Sequence, residues 1–223
     1  MQMEKRWQFA PFEEGLTSAL TEQLHISPIL AQILANRGIA DVEEGRHFLQ
    51  DTLNDMADPF LMDGMETAVR RLKQAVEDKE RIVIYGDYDV DGITSTSLVY
   101  SVLRDLGASP QFYIPERQSE GYGLNEEALQ HLEHEADVLI TVDCGISSYE
   151  LVREFSPHLD IIITDHHEPP EQIPPALAVL NPKKPGCPYP FKELAGAGVA
   201  YVLCRALWQR CCNEDLAGYS DLS

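Results

Sequence analysis

Two hydrophobic periodicities divide the chain. Through residue 80 or so, apolar positions recur at helical spacing between loops. Ser27-Pro28 predicts a helix start, with serine as N-cap and proline in the first turn, and Gly38 predicts its end. Asp41 followed by Glu44 reads as a capping-box-like start of a second short helix. Asp58-Pro59 breaks the pattern. Met65, Ala68, Val69, Leu72, Ala75 and Val76 then mark one face of a helix running to about Lys79.

From residue 81 short apolar runs alternate with amphipathic segments. Residues 82–85, 112–114, 138–142, 161–164 and 178–180 read as strands. Helices are expected up to Gly107, over 125–135, over 147–155 and over about 198–212. The proline-rich stretch 168–190 reads as an ordered loop crossing the surface. Continuous apolar strands alternating with helices predict an α/β fold: a mostly parallel sheet with helices on both faces. The expected organisation is a small helical N-terminal segment, 1–79, packing on the core, followed by the sheet domain, 80–223.

Composition narrows the function. A 223-residue chain that is 44% hydrophobic can bury a core without covalent staples. Its net charge is -20 and its pI about 4.5. That balance argues against tight autonomous binding of nucleic acid and is compatible with cations. Five cysteines at irregular spacing, with no CxxC pair, point to reduced thiols rather than a zinc ribbon or a disulfide framework. The N-terminus lacks the apolar core of a signal peptide, and no apolar run approaches a membrane span, so a soluble cytoplasmic chain is expected.

The strand ends carry the chemistry. Open parallel sheets bind ligands beyond the carboxyl ends of their strands. Strand 82–85 runs into Asp87, Asp89 and Asp91, strand 138–142 into Asp143, and strand 161–164 into Asp165, His166 and His167. Aspartate is a common turn residue, and one such strand end would mean little. Five carboxylates and two imidazoles at one edge repel unless cations neutralise them. Oxygen-rich sites with one or two imidazoles suit manganese or magnesium. Asp87, Asp89, Asp91 and Gly92 also match the opening of an EF-hand loop, but its twelfth position is Leu98 and a strand precedes it, so calcium is rejected. Cys144 reads as a buried thiol, and His131 with His134 as a solvated helix face.

IVIYGDYDVDGITST, VDCG and TDHHEPPE resemble the first three motifs of the DHH phosphoesterase superfamily. The likeness is nearest to RecJ-type single-strand-specific exonucleases. LANRGI, DPFLMDGMETAVRRL, ERQSEGYGLN and NPKKPGCPYPFKELAGAGVAY extend it over most of residues 30–207. The resemblance implies a hydrolase that cleaves phosphodiesters with two Mn²⁺ or Mg²⁺ ions, acting from the 5′ end of single-stranded DNA. It implies a place in DNA repair or recombination, with repair or single-strand-binding proteins as partners. Asp89 would hold one metal, Asp91 and His166 the other, and Asp143 would bridge them. Asp87 and Asp165 would be ligands or would orient them. His167 would hold a phosphate oxygen or assist the leaving group. Arg117 would grip phosphate, Tyr122 would stack on a base, and Gly196 and Gly198 would present backbone N–H groups to phosphate.

Two departures qualify the resemblance. The family motif often has histidine where this chain has Tyr85, and a fourth, aspartate-bearing motif does not occur before Ser223. A catalytic portion with impaired activity is therefore expected. The alternatives are a phosphodiesterase of short oligoribonucleotides or cyclic dinucleotides, and an inactive DHH-type scaffold or binding module.

Overall fold

The computed structural model describes residues 10–11, 13–116, 121 and 123–216, apart from the Asn54 side chain. The chain forms two compact units, one ending at Met56 and the other beginning at Ala57.

The first unit holds α1 (Glu14–Leu24), α2 (Pro28–Asn36) and α3 (Val42–Gln50). The expected caps form: Ser27 Oγ accepts from Leu30 N, and Asp41 Oδ1 accepts from Glu44 N. Each satisfies a backbone donor that the first helical turn leaves open. Leu20, Leu24, Ala31, Leu34 and Ile39 make the core of this unit.

The second unit contains α4 (Met65–Asp78), β1 (Ile82–Gly86), α5 (Val90–Asp105), β2 (Gln111–Tyr113), α6 (Glu126–Glu135), β3 (Val138–Val142), α7 (Tyr149–Phe155), β4 (Asp160–Thr164), β5 (Ala178–Leu180) and α8 (Gly196–Cys212). All five strands are parallel, in the order β2-β1-β3-β4-β5. Val83, Tyr85, Leu139, Ile161 and Ile163 face one core with Leu129 and Leu132 of α6 and Val152 and Phe155 of α7. The opposite face is covered by α4, α5 and α8. β1 and β3 are buried along their whole length, as continuous apolar runs require. Edge strand β2 is the exception, with Phe112 59% exposed.

Three expectations need correction. The boundary at 79/80 moves to 56/57, because the apolar stripe of α4 is buried and packs on α8 and β5. Helix α7 starts at Tyr149 rather than Ser147, because Gly145 at φ +108° turns the chain and its carbonyl accepts from Ser148 N. The stretch 168–190 does more than cross the surface: besides the expected strand, now β5, it buries Asn181, Cys187 and Tyr189.

Register positions the chemistry. Gly86 pairs with Val142, Val142 with Thr164, and Thr164 with Leu180. One residue beyond each stand Asp87, Asp143, Asp165 and Asn181, a level row along one sheet edge. The chain leaves β1 toward β2 and returns on its other side as β3, so a crevice opens between β1 and β3. Leu139 is fully buried at the centre of this sheet. Leu139→Ala is expected to cost about 2–5 kcal/mol of stability in urea unfolding followed by circular dichroism. A cost below about 1 kcal/mol would contradict a packed central strand.

Candidate metal centre

Each strand end presents its acid by a local device. After β1, Asp87 is buried, and Asp89 caps α5 by accepting from Asp91 N (2.9 Å) and Gly92 N (3.0 Å). The positive end of the helix dipole favours both Asp89 and Asp91 there. This turn enters a helix directly at Val90, which no EF-hand loop does. A Cβ on Gly92 would lie 2.4 Å from Asp87 O, so only glycine allows the turn. After β3, Asp143 sits at φ +61°, a left-handed conformation uncommon for a residue with a side chain. Its carboxylate is 2% exposed. After β4, Asp165 is buried beneath the two histidines.

Two overlapping groups of metal-compatible donors result. Asp87, Asp89 and Asp143 form one, and Asp143, His166 and His167 form the other, with ligand atoms in each lying within 4.8 Å of one another. His166 Nε2 lies 3.1 Å from Asp143 Oδ1 and 3.8 Å from Asp91 Oδ2. Asp143 thus stands between the two groups. Burial, with the charges of Asp91 and Asp89, raises its pKa to about 8. A carboxyl raised in this way is both desolvated and crowded by other carboxylates, and a hard divalent cation relieves both. The donors are carboxylate oxygens and imidazole nitrogens, the set that manganese and magnesium accept.

Asp91 and Asp165 have further work. Asp91 Oδ2 accepts from Gly196 N (2.7 Å) and Oδ1 from Ala197 N (2.6 Å), tying α5 to the first turn of α8. Asp165 Oδ2 accepts from Ile146 N at 2.9 Å. Its Oδ1 accepts from His166 N (2.7 Å), His167 N (3.0 Å) and His167 Nδ1 (2.7 Å). Asp165 therefore orients the histidines and belongs to neither donor group. Burial alone would raise the Asp165 carboxyl, but the His167 imidazole and these N–H groups outweigh it and hold it low. The hydrogen bond to Asp165 in turn raises the His167 pKa, against the effect of burial.

Other expected residues fare differently. The backbone N–H of Gly196 is donated to Asp91, not presented to a phosphate. Gly196 is needed for space: a Cβ there would lie 2.3 Å from Asp143 Oδ1. Gly198 packs beside Leu194, where a Cβ would meet Cδ2 at 3.0 Å. Arg117 and Tyr122 lie outside the described residues. Tyr85, at the position where the family often has histidine, is fully buried on the α6–α7 side of the sheet. Its hydroxyl donates to Gly123 O (2.9 Å) and accepts from Asn125 Nδ2 (3.0 Å). Cys144 is a buried thiol whose pKa burial pushes up, so it is no nucleophile. His131 and His134 lie exposed beside Glu135 and Glu133. A cavity of about 520 Å³ opens at the opposite sheet edge, where Arg71 pairs with Glu80 and Asp160, and Arg81 with Asp137. Its guanidinium groups are already matched by carboxylates, so it presents none of the unbalanced charge seen at the metal centre.

The DHH family model, described as "DHH family, N-terminal domain", matches residues 81–220. The chain belongs to the DHH family. Over 206 residues it is 47% identical to the single-stranded-DNA-specific exonuclease RecJ of Bacillus subtilis (strain 168), covering 91% of this chain and 26% of that protein. Among solved structures, exonuclease RecJ bound to manganese matches with TM-score 0.62 and 37% identity, over 67% of this chain and 38% of that one. RecJ from Thermus thermophilus in complex with Mn²⁺ matches with TM-score 0.66 and 29% identity, over 91% of this chain and 28% of that one. The chain spans about a quarter of the curated RecJ it matches.

The raised pKa of Asp143 sets a pH dependence. In the metal-free protein this group contributes full stability below its unfolded pKa of 3.8, and that contribution is lost as pH rises through about 8. Asp143→Asn is expected to melt higher than wild type above pH 8 in EDTA, while losing the stabilisation by Mn²⁺ that wild type shows. Melting curves from pH 5 to 9, with and without Mn²⁺, check both. Parallel pH profiles of variant and wild type in EDTA would contradict the assignment. Gly196→Ala is expected to weaken Mn²⁺ binding at least tenfold by calorimetry, because its Cβ displaces the Asp143 carboxylate.

Proposed function

We propose that this chain is the catalytic portion of a RecJ-type exonuclease, hydrolysing phosphodiester bonds of single-stranded DNA from its 5′ end with two Mn²⁺ or Mg²⁺ ions. The observation that carries this reading is the pair of donor groups meeting at Asp143. Asp87 and Asp89 would hold one ion, Asp91 and His166 the other, and Asp143 both. Bound there, the ions would activate water and offset charge on the phosphoryl oxygens.

The protein's own contribution is arrangement and proton control. Asp165 accepts from His167 Nδ1, so the neutral ring carries its lone pair on Nε2. The raised His167 pKa keeps more of the ring protonated near neutrality. Protonated, Nε2–H donates to a phosphoryl oxygen or to the departing sugar oxygen. Both roles agree with its 45% exposure beside the buried aspartates. The net charge of -20 fits a substrate gripped through cations rather than through a basic surface. Such a nuclease belongs in DNA repair or recombination in the cytoplasm, alongside proteins that expose or coat single strands. No helix among the described residues is long and apolar enough to cross a membrane.

The test pairs binding with turnover. Calorimetry is expected to find two Mn²⁺ per chain, and 5′-labelled single-stranded DNA is expected to release mononucleotides slowly in Mn²⁺. Asp143→Ala is expected to abolish binding at both positions and to lower the rate at least about 100-fold. Absence of Mn²⁺ binding, or cleavage indifferent to EDTA and to Asp143→Ala, would refute the reading.

A further inference from the structure

The fourth residue of the level row is not an acid. Asn181 follows β5 in register with Asp87, Asp143 and Asp165, and it is fully buried. Its side-chain Oδ1 accepts from Lys183 N at 2.8 Å. That bond fixes which end of the amide points where, because a backbone N–H can only donate. The other end, Nδ2, therefore faces His167 O and donates to it at 2.9 Å. The turn below is closed by Lys184 N donating to Asn181 O. Lys184 Nζ anchors the turn to Val179 O at 2.8 Å and pairs with Asp63.

The loop carrying the histidine pair is thus joined to β5 at both ends. Asp165 N donates to Leu180 O before the pair, and Asn181 holds the carbonyl of His167 after it. The His167 side chain is 45% exposed and its ring lies 4.5 Å from that of His166, so packing fixes it only in part. Hydrogen bonds supply the rest of its direction: Asp165 holds the ring and the N–H, and Asn181 holds the carbonyl.

We propose that Asn181 is a positioning residue that aims His167 at the reacting phosphate by clamping its backbone carbonyl. The inference rests on the nuclease reading for what His167 does, but not for how it is held. Asn181→Ala removes the clamp. Asn181→Asp keeps the shape but sets an oxygen against an oxygen, and is the more severe change. Outer partners of this kind typically matter about 10–100-fold.

The test uses the whole chain and two readouts. In metal-free protein, the His167 Nδ1–H proton bonded to Asp165 is expected to give a protected NMR resonance, identified by its loss in His167→Ala. Asn181→Ala is expected to broaden or abolish that resonance while the rest of the spectrum stays folded. In Mn²⁺, kcat on single-stranded DNA is expected to fall about 10–100-fold with KM within about twofold, and Asn181→Ala is expected to add nothing in a His167→Ala background. An unchanged resonance, or an equal loss of rate in the His167→Ala background, overturns the proposal. If wild type cleaves no DNA, the nuclease reading fails, and the resonance still decides the role of Asn181.

Discussion

Repulsion among carboxylates is the constraint around which this site is built. Asp143 is held in a left-handed backbone conformation, and its burial, together with the charges of Asp91 and Asp89, raises its pKa to about 8. A protein gains nothing in stability from such a cluster. The surrounding structure compensates with oriented N–H groups. Asp89 caps α5, Asp91 accepts from the first turn of α8, and Asp165 accepts from three backbone amides and an imidazole. Partial positive charge from two helix N-termini thus meets the edge where negative charge collects. What remains unbalanced is centred on Asp143, where the two donor groups overlap.

Much of this was legible in the chain. Continuous apolar runs told of a covered parallel sheet, and acids following three of those runs marked the edge where the crevice opens. Helix caps at Ser27 and Asp41 were readable because capping is a local matter of side-chain reach. The placement of α4 was not, since a helical stripe records that a face is buried and not what buries it. The reversed role of Gly196 was hidden for the same reason. A Gly-Ala-Gly helix start looks like an anion cradle in isolation, and only the fold shows Asp91 already occupying its amides. Asn181 left a fainter signal: a fourth strand ending in a polar residue at the same level as three aspartates.

Tyr85 shows how one substitution divides local from distant effects. The tyrosine lies on the sheet face away from α5, stacked near Tyr113 and bonded to the Gly123–Asn125 segment. It therefore holds Gly123 and Asn125, at the start of α6, rather than standing among the donors. Membership of the DHH family rests on the matched model over residues 81–220, and the geometry at Asp143 agrees with it although the histidine often found at this position is absent.

The clasp between Asp91 and α8 has a consequence for the newly made chain. Its two partners are separated by 105 and 106 residues. Synthesis runs from the N-terminus, so β1, β3 and β4 emerge well before the amides of Gly196 and Ala197. Until α8 arrives, the acidic row has lost one of its sources of compensating charge and its covering helix. The nascent sheet is then at its most loosely closed, with a long loop still to be shut. The acidic edge is therefore among the last parts of this unit to be closed, because its clasp waits on the helix furthest along the chain.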